Sequence, residues 1–188
     1  MTEWITRLDF SVLYKIQDIF RCSFLDLIMP KLTMLGSAGF IWLVCAGVML
    51  LKKKHRRTGA LMLIGLMLGV LIGNVIMKNL FARPRPCWID TTVDLLVAVP
   101  KDYSFPSGHT LASVISATIL TCADRRFGFV AIPLAAVISL SRLYLFVHFP
   151  SDVLVSVLLG IIIGLTVFRF GGRLFDKAMT RRAALPKG

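Results

Sequence analysis

Five apolar stretches, each cut off by charge or proline, set the rhythm of this chain. Leu32–Leu51 and Thr58–Met77 each run 20 residues without a charge, the length a helix needs to cross about 30 Å of hydrocarbon. Tyr103–Ala123 is a third run, predicted helical from Pro106 onward because proline is tolerated in a first turn. Phe127–Val147 is a fourth, interrupted only by Arg142, and Val153–Phe168 is a fifth, lengthened by Pro150 and Ser151. The pattern predicts an all-α polytopic membrane bundle of five transmembrane helices.

Residues 3–28 follow a different rule. Glu3, Arg7, Asp9, Lys15, Asp18, Arg21 and Asp26 interleave with Trp4, Ile5, Leu8, Leu13, Ile16, Ile19, Phe20 and Leu25. The charges recur too often for a span, while the apolar positions keep helical spacing. This predicts an amphipathic helix lying in the membrane interface. The mixed charges also argue against a removable signal peptide. A single domain 1–188 is therefore expected, with an interfacial helix over 1–30, a transmembrane bundle over 31–170 and a basic cytoplasmic tail over 171–188.

Composition supports this. Of 188 residues 56% are hydrophobic and only 17% charged, with a mean hydropathy of +0.78; soluble domains carry about 25% charged residues. A 20.9 kDa chain has too much surface relative to its volume to hide that excess in one core. The formal charge of +12 invites comparison with nucleic-acid binders, but these gather their cations on a soluble face. Here they sit between apolar runs: +5 over 52–57, +1 over Asp124-Arg125-Arg126 and +5 from Arg169 onward. The 82–105 loop is balanced. The first group is predicted cytoplasmic and the loop extracytoplasmic, in a plasma (inner) membrane, with the C-terminus inside. No nucleic-acid partner is expected, and a homo-oligomer is compatible with the pattern. Cys22, Cys45, Cys87 and Cys122 lack metal-ligand spacing, and a Cys22–Cys87 bridge is not expected.

Charged groups at membrane depth are costly and mark function. On this topology Lys78, Arg85, His109, Arg142, His148 and Asp152 all fall at the extracytoplasmic face. Three fixed cations repel one another unless an anion joins them, and guanidinium groups suit phosphate. Gly108, at the start of the third span, permits close backbone approach, and the first amides of a helix bind anions. His148 and Asp152, four apart, share a helix face, so the carboxylate fixes the tautomer and leaves the other nitrogen as a nucleophile. His109 is placed to protonate a leaving oxygen. A metal on His109, His148 and Asp152 would be opposed by the three cations, so metal-independent chemistry without a cofactor is expected. Asn74 reads as an interhelical hydrogen bonder, and Arg83 and Lys101 as side chains reaching up to lipid headgroups.

The same residues resemble a known signature. Lys78-x6-Arg85-Pro86, Pro106-Ser107-Gly108-His109 and Ser141-Arg142-x5-His148-x3-Asp152 are similar to the three motifs of the phosphatidic acid phosphatase type 2 superfamily. That family also includes vanadium haloperoxidases and bacterial lipid pyrophosphate phosphatases. The resemblance implies that Lys78, Arg85, Ser107, Gly108 and Arg142 hold phosphate oxygens. It further implies that His148, oriented by Asp152, attacks phosphorus, and that His109 is the general acid. The implied substrate is a lipid phosphate or pyrophosphate in the bilayer, undecaprenyl pyrophosphate first and phosphatidylglycerophosphate or phosphatidic acid second. A non-hydrolytic lipid-phosphate transporter or sensor would use the same pocket.

Overall fold

The computed structural model describes residues 3–175; the expected basic tail lies, from residue 176 on, outside the described residues. Among these the chain is helical without a strand: α1 (Glu3–Phe20), α2 (Ser23–Leu35), α3 (Phe40–Leu51), α4 (Arg56–Gly69), α5 (Lys78–Phe81), α6 (Pro86–Ile89), α7 (Gly108–Ala123), α8 (Arg125–Tyr144) and α9 (Pro150–Thr166). A π-helical segment, Val70–Met77, joins α4 to α5, and a second, Val167–Gly171, extends α9.

Segments Lys53–Ile89, Arg125–Tyr144 and Pro150–Phe175 are long and apolar enough to cross a membrane, and α2 with α3 forms a fourth candidate bent by 45°. The remaining expected span, α7, has 16 residues and so extends about 24 Å at 1.5 Å per residue.

Two expected continuous helices are broken. The 3–28 stretch divides at Arg21–Cys22: Cys22 is extended (φ −155°, ψ 155°), and its N–H donates to the Tyr144 hydroxyl at 3.3 Å. Leu32–Leu51 divides at residues 36–39, where Ala38 (φ 51°) and Gly39 (φ 70°) enter the left-handed region. Glycine takes that conformation at little cost.

α7 sits at the centre, gripped from two sides by paired small residues. A Cβ at Gly65 or Gly69 of α4 would come within 2.7–2.8 Å of Ile115, and one at Gly160 or Gly164 of α9 within 2.7–2.8 Å of Val114 or Thr118. Small residues four apart let helix backbones meet closely where lipid supplies no hydrophobic drive. Buried Ile115, Ile119, Ile138, Leu61 and Met62 fill the space around it. This packing fixes where the N-terminus of α7 points. A second buried cluster joins Leu13 of α1 to Phe146, Val147 and Phe149 in the α8–α9 turn, with Phe10 set edge-on to Phe149 at 5.2 Å between ring centroids.

The two ends of the bundle differ chemically. At one end His55 meets Phe127 (5.5 Å) and Arg57 lies over Phe168 (5.4 Å), so the basic 52–57 turn, the start of α8 and the end of α9 lie together. The N-terminus of α7, the α8–α9 turn and the 82–107 loop gather at the other end.

Candidate active site

A cavity of about 630 Å³ opens among these elements, and Lys78, Arg85, Gly108, His109, Arg142 and His148 all line it. Its remaining wall is largely apolar and descends between Gly39 and Leu43 on one side and Leu66, Met67 and Val70 on the other. Residues separated by 70 positions in sequence thus share one chamber with a polar head and an apolar body.

Arg85 is the most constrained cation. Its Nε donates to the Asp102 carbonyl (2.7 Å), Nη1 to the Val147 carbonyl (2.7 Å) and Nη2 to Asp102 Oδ1 (2.8 Å). Nη1 also lies 3.1 Å from His148 Nε2. A guanidinium only donates, so Nε2 must present its lone pair there. The ring proton then resides on Nδ1, which lies 3.6 Å from Asp152 Oδ2 and 3.5 Å from Ser104 Oγ. Geometry thus selects the tautomer in which Nε2 can act as a nucleophile.

Lys78 and Arg85 share the Asp102 carboxylate. Partial burial pushes the Asp102 carboxyl up, but the lysine and guanidinium outweigh it and hold the group at about 2, below its ordinary 3.8. Its side chain remains 58% exposed. Arg142 donates through Nη1 to Thr33 Oγ1, which ties the cation to α2; it makes no ion pair with Asp152. Among the described residues, two buried polar atoms of the chamber's side chains, Arg142 Nε and His109 Nε2, have no protein partner. Such atoms incur a desolvation penalty unless a ligand or water satisfies them.

The beginning of α7 carries two other motif residues. Ser107 caps the helix, its Oγ accepting from Thr110 N (3.5 Å) and Thr110 Oγ1 (3.1 Å). Ser107 is fully buried, engaged within the protein, and is not among the cavity-lining residues. Gly108 faces the chamber, and a Cβ there would stand 3.0 Å from Asn74 Oδ1. Asn74, read from sequence as an interhelical hydrogen bonder, also lines the cavity.

Asp152 stands behind His148, wholly buried. It accepts from Phe149 N (2.9 Å), from Ser104 Oγ and from Arg83 Nη1. The sequence reading of Arg83 as a side chain reaching headgroups is therefore wrong. Its guanidinium is 5% exposed, lies 3.9 Å from the Phe149 ring centroid and bridges Asp152 to Asp9 of α1, 2.7 Å from Nη2. Two buried carboxylates at one guanidinium offset the cost of removing charges from water; deleting one partner of such a group costs about 3–5 kcal/mol. Lys101 is exposed, as headgroup contact requires. Sequence reasoning missed Asp102, Ser104 and Asp9. The available hint for Arg83 was its place in Arg83-Pro84-Arg85-Pro86, two residues from Arg85, an expected phosphate ligand.

The chain is similar to several known proteins. An undecaprenyl-diphosphatase of Sulfolobus acidocaldarius is 33% identical over 122 residues, 64% of this chain and 59% of that protein. The undecaprenyl-diphosphatase BcrC of Bacillus subtilis is 32% identical over 100 residues, 53% of this chain and 51% of that one. The aligned region thus spans between half and three fifths of these relatives' length. Among solved structures, a transmembrane PAP2 type phosphatidylglycerolphosphate phosphatase from Bacillus subtilis superposes with a TM-score of 0.74 at 27% identity, covering 92% of this chain and 88% of that one. LpxE of Aquifex aeolicus superposes with a TM-score of 0.75, also at 27% identity, over 86% and 95%. The sequence pattern of the PAP2 superfamily matches residues 58–176, a stretch that holds every motif residue of the chamber, and the chain belongs to that superfamily.

Proposed function

We propose that this protein hydrolyses the phosphate or diphosphate of a membrane lipid at the extracytoplasmic face, and that undecaprenyl pyrophosphate is its first substrate. The observation that carries the reading is the single chamber in which three cations and two imidazoles face an apolar body. The head suits a phosphoryl group and the body suits a chain that stays in the bilayer. Lys78, Arg85 and Arg142 offset charge on the non-bridging oxygens in the transition state. His148 Nε2 attacks phosphorus, forming a P–N bond as the P–O bond to the leaving group breaks. Protonated His109 gives its proton to the departing oxygen. Water then attacks the phosphohistidine, returning a proton to His109 and releasing inorganic phosphate and free His148. These cations supply the charge compensation that a divalent metal supplies elsewhere, so the step needs none.

The undecaprenyl-diphosphatase relatives support the first substrate. Phosphatidylglycerophosphate or phosphatidic acid is the second reading, and the superposition on a phosphatidylglycerolphosphate phosphatase over most of both chains favours it. The test is phosphate release from each lipid by purified protein in detergent with chelator present, alongside His148→Ala. Release from at least one lipid, lost by about a thousandfold or more in His148→Ala, is expected. Full function in His148→Ala would indicate a binding protein or transporter. Release abolished by chelator and restored by magnesium would contradict the metal-free step.

A further inference from the structure

The amphipathic α1 reaches the chemistry through one charged residue. Asp9 is 5% exposed on a helix whose other face is open: Trp4 and Leu8 are exposed. One oxygen of Asp9 accepts from Ser151 N (2.9 Å) at the start of α9. The other accepts from Arg83 Nη2 (2.7 Å) and Ser151 Oγ (2.5 Å). Arg83 turns its opposite nitrogen, Nη1, to Asp152 Oδ1 and to Ser151 Oγ (2.8 Å), while Phe149 closes one face of its plane. Asp152 in turn faces His148 Nδ1.

We propose that α1 is a positioning element of the active site, in which Asp9 holds the Arg83 fork so that Arg83 fixes Asp152, and through it the aim of His148 Nε2. This deepens the phosphohistidine reading and rests on it. A fork gripped at both ends cannot rotate about either contact, and guanidinium is the cation whose planar donors allow such a double grip. Apolar docking through Phe10 and Leu13 already attaches α1 to the bundle. Buried ion pairs are weak sources of stability relative to apolar packing, so this one is better explained by the alignment it imposes. At metal sites, loss of a residue that orients a ligating histidine typically lowers activity about 10–100-fold, and a nucleophilic histidine depends on its aim in the same way.

The experiment is single-turnover trapping of labelled phosphate on the full-length protein, with a lipid it hydrolyses, in Asp9→Asn and Arg83→Lys. Arg83→Lys keeps the charge and loses the fork. Each variant should lower the rate constant of phosphoenzyme formation and kcat by about tenfold, with KM within about twofold and the trapped amplitude per folded molecule unchanged. Leu8→Ala, on the open face of the same helix, should keep wild-type rates. A merely structural Asp9 would lower the melting temperature and the total trapped amplitude at an unchanged rate constant, and that result overturns the proposal. Should Asp9→Asn fail to accumulate, Arg83→Lys carries the same comparison, and a wild-type rate constant in it overturns the proposal. His148→Ala separates the two levels: turnover persisting there removes the phosphohistidine reading itself. A dead His148→Ala beside unaffected Asp9→Asn and Arg83→Lys removes only the positioning role.

Discussion

Asp102 holds two of the chamber's three cations, Lys78 and Arg85. Held at about 2 by Lys78 and Arg85, against an ordinary 3.8, its carboxylate keeps its charge wherever the pH exceeds about 4. The bridge weakens only as pH falls through about 2. Under the proposed hydrolysis, an incoming oxyanion therefore meets a competitor attached to the protein across any working range. Asp102→Asn should lower the concentration of inorganic phosphate or vanadate needed for half inhibition by about threefold to tenfold, a modest change because the carboxylate is more than half exposed and screened by solvent. Unchanged or weaker inhibition would show that Asp102 holds the cations in place and does not compete. At this scale the motif residues were legible because charge inside an apolar run is conspicuous. Arg83, Asp102 and Asp9 were not, because loops and amphipathic helices normally carry charge, and only the folded chain shows that Arg83 and Asp9 are buried and that Asp102 pairs with Lys78 and Arg85.

Helix interruptions shape the chamber. Gly36 lies at the break between α2 and α3, and a Cβ there would stand 2.7 Å from Ile138 Cγ2 and 2.9 Å from His109 Cδ2. Gly36→Ala should therefore displace the imidazole and lower kcat by about tenfold with a smaller change in melting temperature, as expected when a misplaced acid loses alignment. A kcat within twofold of wild type would mean that Ile138 alone yields. The same interruptions mark the limit of reading elements from hydropathy. An uncharged 20-residue run states that a segment suits lipid, yet it does not state whether the backbone stays α-helical. Nothing in the apolar pattern of 70–77 marks the π turn that leads into Lys78. Such turns recur at functional sites. α7 was legible from Pro106-Ser107-Gly108, with its first turn two residues later than expected because Ser107 serves as the cap.

The whole molecule has two unlike ends, and the exposed thiols offer a way to tell which faces which compartment. Cys122 ends α7 beside the basic turns, while Cys22 lies at the α1–α2 break next to Tyr144. With the predicted orientation, a membrane-impermeant maleimide should label Cys22 in intact cells and Cys122 only after the membrane is opened. The reverse pattern would invert the topology. The expected layout rests on charge counting along the sequence, whereas the chamber between α3 and α4 needed the fold, since no local pattern reports which two helices part. The tethered carboxylate on Lys78 and Arg85 has a consequence for the end of the cycle. If phosphate is released as proposed, Asp102 is already at hand to take its partners back. In the proposed cycle, recapture of the product then has to compete with an intramolecular rival, which would reset the cation cluster between turnovers.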